Sequence, residues 1–224
     1  MVDGDGSRAP LAAVRRRRTT GWVLGLGALG GLLFTVGLVV RLRCAVGRCP
    51  APQTRQLLDL DAVGSLPRLF TAGLFVAVAV LGARAAARTE RPARWWWVLV
   101  AVSGVVLAAA KVVSLHSAAE QVDGRWVTLV GGLGLTLVGL PVLWWAGRRW
   151  SVPAAGAVTL ALAVYAAAAL GLDQVTGLVG MAWSGRVSGA FATYLEEGGE
   201  AVTALLLLAA VARWMPARRR PGPG

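Results

Sequence analysis

Three glutamates stand at the start of the last apolar stretch of the chain. Glu196, Glu197 and Glu200 are followed directly by the largely apolar residues 201–212. A carboxylate inside a bilayer is costly, so it needs a counter-ion, water or a proton. The chain's single lysine, Lys111, lies near the end of another apolar stretch. We therefore predict that Lys111 pairs with Glu197 or Glu200.

Distances along the predicted helices support this pairing. Trp95 and Trp214 are placed to mark one membrane interface, where tryptophan is enriched. Counted from them at about 1.5 Å per residue, Lys111 lies about 24 Å along its helix, Glu200 about 21 Å and Glu197 about 25 Å. The three groups are thus at matching depths. If Lys111 were remote, a carboxylate at this depth would carry a proton near neutral pH, which is the basis of proton-linked chemistry.

A metal site is the alternative use of these residue types. His116 and Glu120 are four residues apart and share a helical face, and Glu196 and Glu200 repeat that spacing. Two helices that each offer such ligands can bind a divalent metal. The chain has one histidine and no Glu-x-x-His motif, so we favour paired or solvated polar groups and leave metal and cofactor open. The predicted polar pocket comprises Lys111, His116, Glu120, Glu196, Glu197 and Glu200.

Both cysteines lie in one polar connection, residues 41–63. Cys44 and Cys49 are separated by four residues, and on an oxidising outer side this spacing favours a disulfide over a metal site. Asp59 and Asp61 end the same connection and Asp173 is predicted on the same side. These aspartates either join the polar pocket or are solvated, and we favour solvation.

Composition predicts an all-α polytopic membrane protein. Of the 224 residues 56% are hydrophobic, mean hydropathy is +0.63, and several apolar runs reach about 20 residues, the length that spans a bilayer. The net charge of +12 could indicate nucleic-acid binding, but the arginines cluster at the ends of apolar runs. We therefore exclude nucleic acid and take the lipid bilayer as the partner. The dominance of Arg, Ala, Gly and Val indicates bacterial coding.

We predict one transmembrane domain, residues 20–214, between a basic tail at 1–19 and a basic, disordered tail at 215–224. Its six spans are expected at about 21–40, 65–82, 95–113, 126–145, 152–170 and 195–214. Residues 175–195 are apolar enough for a further crossing, but that crossing would place the C-terminal arginines outside. We expect an interfacial or re-entrant segment there, and an aromatic belt at Trp95 to Trp97.

Charge sets the orientation. With the N-terminus inside, the inner segments hold 15 of the 23 basic residues and only 3 of the 11 acidic ones. This asymmetry predicts cytoplasmic termini and a multi-pass protein of the cell membrane. The first span carries Gly21-x-x-x-Gly25 and Gly27-x-x-x-Gly31, spacings that let helices approach closely. We expect them to pack within the chain, with a homo-oligomer as the alternative.

No motif names a reaction or a substrate, so we expect a role other than catalysis. Titratable groups at membrane depth favour ion- or proton-linked transport. The glycine-rich faces and the lack of motifs favour, to a similar degree, a non-catalytic assembly or accessory protein. A metal-dependent membrane enzyme, built on His116, Glu120, Glu196 and Glu200, is the third and least favoured class.

Overall fold

The computed structural model of the chain describes residues 8–113, 125–182 and 185–216, and it is all-helical over these ranges. The described part contains seven α-helices: α1 (Arg8–Ala45), α2 (Pro52–Leu58), α3 (Leu66–Arg88), α4 (Ala93–Val113), α5 (Arg125–Arg149), α6 (Ala155–Ala182) and α7 (Arg186–Trp214). Five segments are long and apolar enough to cross a membrane: Gly21–Ala45, Leu66–Arg88, Ala93–Val113, Val130–Arg149 and Ala155–Val179. The chain is therefore an all-α membrane protein.

The last helix differs from these five in composition. α7 is long enough to cross, but its apolar half carries Glu197, Glu200 and Arg213, and it does not qualify as a span by its residues alone. Length and apolarity thus support five of the six predicted crossings. A sixth depends on how the charges of α7 are neutralised.

Successive long helices run antiparallel. In α3 and α4, Gly82 lies against Ala101 and Gly104 against Ala79. In α6 and α7, Leu172 lies against Gly199. We call the end of the bundle with the two cysteines the disulfide end. The opposite end, here the arginine end, carries Arg84, Arg88, Arg94, Arg148, Arg149 and Arg213.

An apolar core fills the half of the bundle nearer the arginine end. Trp96 is fully buried and its indole N–H donates to the carbonyl oxygen of Leu143 at 2.9 Å. Trp97 is also buried at 2% exposure, whereas Trp95 is 52% exposed. The predicted aromatic belt is wrong for Trp96 and Trp97, because neighbouring residues of a helix point about 100° apart and cannot all face lipid.

Several elements are longer than the sequence suggests. α1 begins at Arg8 and ends at Ala45, and the polar connection after it contains the short α2. α6 continues to Ala182 and α7 begins at Arg186, so the described residues of the predicted segment 175–195 belong largely to these two helices. Thr176 of α6 lies 3.5 Å from the carbonyl oxygen of Ala192 of α7. No proline interrupts residues 155–182. A single glycine costs only about 1 kcal/mol in a helix, which packing offsets.

The glycine pairs of α1 contribute little packing within the chain. Among the described residues, a Cβ atom added to Gly21, Gly25 or Gly31 would meet nothing within 4 Å, and one added to Gly27 would lie 3.5 Å from Leu205. Within the part of the chain that the structure describes, intramolecular packing through these pairs is thus limited to Gly27. A homo-oligomer through these glycines stays a prediction.

Candidate functional site

Lys111 bridges two buried carboxylates. Its Nζ lies 3.0 Å from Oε2 of Glu197 and 2.8 Å from Oε2 of Glu200. The side chains of the three residues are 12%, 4% and 8% exposed, respectively. The pairing that the depth argument predicts is therefore present. No described Cα atom of α4 lies within 8 Å of one of α7, so the long lysine side chain is what reaches across this gap.

Arg68 extends the pairing toward the disulfide end. Its Nη2 donates to Oδ1 of Asp61 at 2.6 Å and lies 3.3 Å from Oε1 of Glu197. The Arg68 side chain is 10% exposed. It occupies the first turn of α3, directly after Pro67. Sequence reasoning missed Arg68, although an arginine directly after the proline that starts a helix, at the beginning of an apolar run, was a usable signal.

Arg41 joins α1 to the same group of charges. Its Nε donates to Oδ1 of Asp59 at 2.6 Å, and its Nη2 lies 3.6 Å from Asp61. Its Nη1 donates to the hydroxyl of Thr193 on α7 at 2.6 Å. The two aspartates are thus paired in the structure, and the expectation that they are merely solvated is wrong. A guanidinium has several N–H donors, so Arg41 can contact both aspartates and Thr193 at the same time.

Tyr165 ends the group inside the bundle. Its hydroxyl donates to Oε2 of Glu200 at 3.0 Å, and the residue is 7% exposed. Its ring meets that of Phe75 edge-on, with centroids 4.8 Å apart. Glu200 therefore accepts hydrogen bonds from a cation and from a neutral phenol. The sequence signal was a lone tyrosine in the middle of an apolar helix.

These contacts form one continuous set, which we call the ion-pair chain: Asp59, Arg41, Asp61, Arg68, Glu197, Lys111, Glu200 and Tyr165. It connects α1, α3, α4, α6, α7 and the residues before α3. Its buried core holds two cations, Arg68 and Lys111, and two carboxylates, Glu197 and Glu200. When all four are ionised the core is neutral, which is the condition for keeping charges away from water.

Asp61 is the solvent-side member of the ion-pair chain. Its side chain is 53% exposed. Loss of water on its buried side raises the pKa of Asp61, while the Arg68 and Arg41 guanidiniums lower it and the Glu197 and Asp59 carboxylates raise it further. Because its side chain is exposed and paired with Arg68, Asp61 forms the polar entrance to the ion-pair chain.

Of the remaining predicted pocket residues the structure describes Glu196, which is not part of the ion-pair chain. Glu196 lies on the side of α7 that faces α6, where Thr176 and Asp173 are its neighbours. His116 and Glu120 lie outside the described residues. Within the ranges that the structure covers, no group of three or more His, Cys, Asp or Glu side chains is placed to hold a metal ion. The metal site stays a prediction.

Cys44 and Cys49 form a disulfide in the structure. The bond closes the turn after α1, three residues beyond Arg41. It therefore fixes the end of the helix that carries the first arginine of the ion-pair chain.

Comparison with known proteins places the chain in a family. A family model described as a domain of unknown function, DUF8692, matches residues 26–214. This range contains every member of the ion-pair chain. No curated protein and no solved structure matched the chain. Because the matched range is well over half of the sequence, the chain belongs to the DUF8692 family.

Proposed function

We propose that the chain is a six-crossing protein of the cell membrane with both termini in the cytoplasm and α7 as the sixth crossing. α7 packs against α1, α3 and α6, and its buried carboxylates lie beside Lys111 and Arg68. A helix whose charges are paired inside the bundle can cross at far lower cost than one that exposes them to lipid. The excess of arginine at one end supports the orientation.

We further propose that the protein carries out ion- or proton-linked transport and that the ion-pair chain is the coupling site. The observation that carries this proposal is the position of Lys111. It lies between two buried carboxylates, at 3.0 and 2.8 Å, and an unbroken series of ion pairs connects it to the half-exposed Asp61. Ionisable groups at this depth are typical of ion paths and proton relays.

A single proton changes this arrangement. A proton on Glu200 removes one of the two charges that hold Lys111, and Glu197 becomes its only carboxylate partner. The Tyr165 hydroxyl then faces a neutral acid and its hydrogen bond weakens. Since no described Cα atoms of α4 and α7 lie within 8 Å of each other, this step loosens α4 from α7. Two arrangements of Lys111 provide the two states that coupling needs.

Flux measurements on reconstituted protein test the proposal. We would place the protein in liposomes that contain a pH-sensitive dye, impose a pH gradient, and repeat the assay with Na⁺ and K⁺ gradients. Wild-type protein is expected to dissipate one of these gradients. Glu200→Gln should reduce the flux to that of empty liposomes. The matched control is Glu196→Gln, which neutralises a neighbouring carboxylate outside the ion-pair chain and should leave the flux unchanged.

A non-catalytic assembly or accessory role is the second candidate. Its support is the charge balance of the buried core, which suits a permanent cross-link between helices. In that case wild-type liposomes dissipate none of the gradients, and Glu200→Gln alters only the thermal stability. Flux equal to that of empty liposomes for correctly folded wild-type protein would overturn the transport proposal and favour this second role.

A further inference from the structure

A cavity of about 560 Å³ opens at the disulfide end between α1, α2, α6 and α7. Three guanidinium groups line it, those of Arg41, Arg55 and Arg186. Thr176 and Thr193 line it between α6 and α7, and their hydroxyls donate to the backbone carbonyls of Ala192 and Gly189. The guanidiniums are therefore the donors that suit an oxyanion with several acceptor oxygens.

The cavity is positively charged. Among the described residues Asp59 is its one lining carboxylate, and it is shared by two of the arginines: Arg41 at 2.6 Å and Arg55 at 3.9 Å. Arg186 is exposed, and no described carboxylate lies within 4.0 Å of its guanidinium. Arg41 also lies 3.6 Å from Asp61, outside the lining, so the uncompensated positive charge of the cavity is chiefly that of Arg186 and Arg55. An anionic ligand would therefore meet an incompletely neutralised set of donors.

The position and size of the cavity narrow the class of ligand. Val40, at the end of the apolar part of α1, and Ala190 give it apolar walls beside the arginines. This combination is typical of the boundary between hydrocarbon and headgroups. Small-molecule sites have volumes of about 300–1,000 Å³. The cavity therefore has room for a phosphate group with an attached glycerol-sized moiety.

We propose that this cavity binds a phosphate monoester or diester, held by Arg186, Arg55 and the shared Arg41. Arginine forks match phosphate oxygens in pairs, which favours phosphate over a simple point charge. The group belongs either to an anionic lipid headgroup or to a soluble phosphate ester. This site does not depend on the transport proposal, because it requires binding alone.

Direct binding to the full-length protein in detergent tests the site. Native mass spectrometry would follow titration with phosphatidylglycerol, with diacylglycerol of the same acyl chains as the phosphate-free control, and with glycerol 3-phosphate as the soluble probe. We expect phosphatidylglycerol to bind and diacylglycerol not to bind. Arg186→Gln should weaken binding about tenfold, the loss expected for one charge-assisted contact. Arg48→Gln, which neutralises an exposed arginine outside the cavity, is the matched control.

The outcomes separate the two sources of phosphate. Binding of both phosphatidylglycerol and glycerol 3-phosphate, each weakened by Arg186→Gln, supports a site open to soluble esters. Binding of the lipid alone supports a headgroup site. Equal weakening by Arg186→Gln and Arg48→Gln would mean general attraction to positive charge and would overturn the proposal, as would equal binding of diacylglycerol. Because Arg186 is exposed, folding of the variant is checked simply by its circular dichroism.

Discussion

α4 is attached to its neighbours in two different ways. Against α3 it packs backbone to backbone: a Cβ atom added to Gly104 would lie 2.8 Å from the amide nitrogen of Ala79. Toward α7 no described Cα atoms are within 8 Å, and Lys111 spans the gap to Glu197 and Glu200. One attachment is apolar and close, whereas the other is charged and long.

The difference shows what each kind of contact specifies. Apolar side chains gain little by leaving lipid, so the α3–α4 contact depends on close van der Waals packing through small residues. Such packing sets the distance between helices. The lysine bridge instead requires that α4 and α7 each have a particular orientation about the helix axis, because only then do the three charged groups meet. We expect the two attachments to respond differently to mutation.

The largest effect is expected from breaking the bridge on one side only. Lys111→Met leaves Glu197 and Glu200 buried with one cation fewer, and loss of one partner of a buried pair costs about 3–5 kcal/mol. Thermal unfolding in detergent should show a midpoint lower by roughly 10 °C. Lys111→Met combined with Glu200→Gln should recover part of this loss. Additive losses in the double variant would contradict the bridge.

The close contact between α3 and α4 should be disrupted by a larger side chain at a glycine. Gly104→Ala places a methyl group against the backbone of Ala79 and Phe75, which cannot move aside as a side chain can. We expect a loss of about 2 kcal/mol from overpacking. Gly73→Ala on α3 is the control, because nothing lies within 4 Å of the added atom. If both variants have the same unfolding midpoint, the α3–α4 contact is looser than described.

Removing the Tyr165 hydroxyl tests its hydrogen bond to Glu200 while the packing of the ring is kept. Tyr165→Phe keeps the ring against Phe75 and removes the hydrogen bond to Glu200. We expect Tyr165→Phe to lower the free energy of unfolding by about 1.5 kcal/mol, the lower end of the range for a hydrogen bond to a charged group. Tyr194→Phe, whose hydroxyl makes no hydrogen bond to a described residue, should be silent in the same unfolding assay. Equal midpoints for both variants would remove Tyr165 from the chain.

The smallest effect is expected at the entrance of the ion-pair chain. Asp61 is 53% exposed, and exposed ion pairs contribute about 0–1 kcal/mol. Asp61→Asn should therefore shift the unfolding midpoint by no more than about 3 °C. A loss comparable to that of Lys111→Met would show that the pair of Asp61 with Arg68 is more deeply enclosed than its exposed area indicates.

The lysine bridge can be predicted from the sequence because the depth of a residue along a helix depends only on its residue number. Lys111, Glu197 and Glu200 are at matching distances from tryptophans that end their helices, and the cost of an unpaired charge leaves few alternatives. Rotation about the helix axis is different, since it depends on which neighbour each face meets. For that reason the burial of Trp96 and Trp97 was not predicted.

The arginines illustrate a second limit. Arg41 and Arg68 lie near the ends of apolar stretches, where arginine is usually a topology signal in contact with headgroups. Only the placement of Asp59 and Asp61 beside them, set by the connection before α3, converts them into members of the ion-pair chain. The role of Tyr165 could not be predicted either, because its partner Glu200 lies on another helix 35 residues away.

In the six-crossing arrangement that we propose, the charge balance of the buried core also determines how this group of charges responds to membrane voltage. With Arg68, Lys111, Glu197 and Glu200 all ionised, the electric field exerts no net force on the group. One added proton makes the group singly positive, and moving a unit charge through the full potential is worth about 2.3 kcal/mol per 100 mV. In the orientation that we propose, a potential that is negative inside acts on the protonated form of this group and favours its movement toward the cytoplasm.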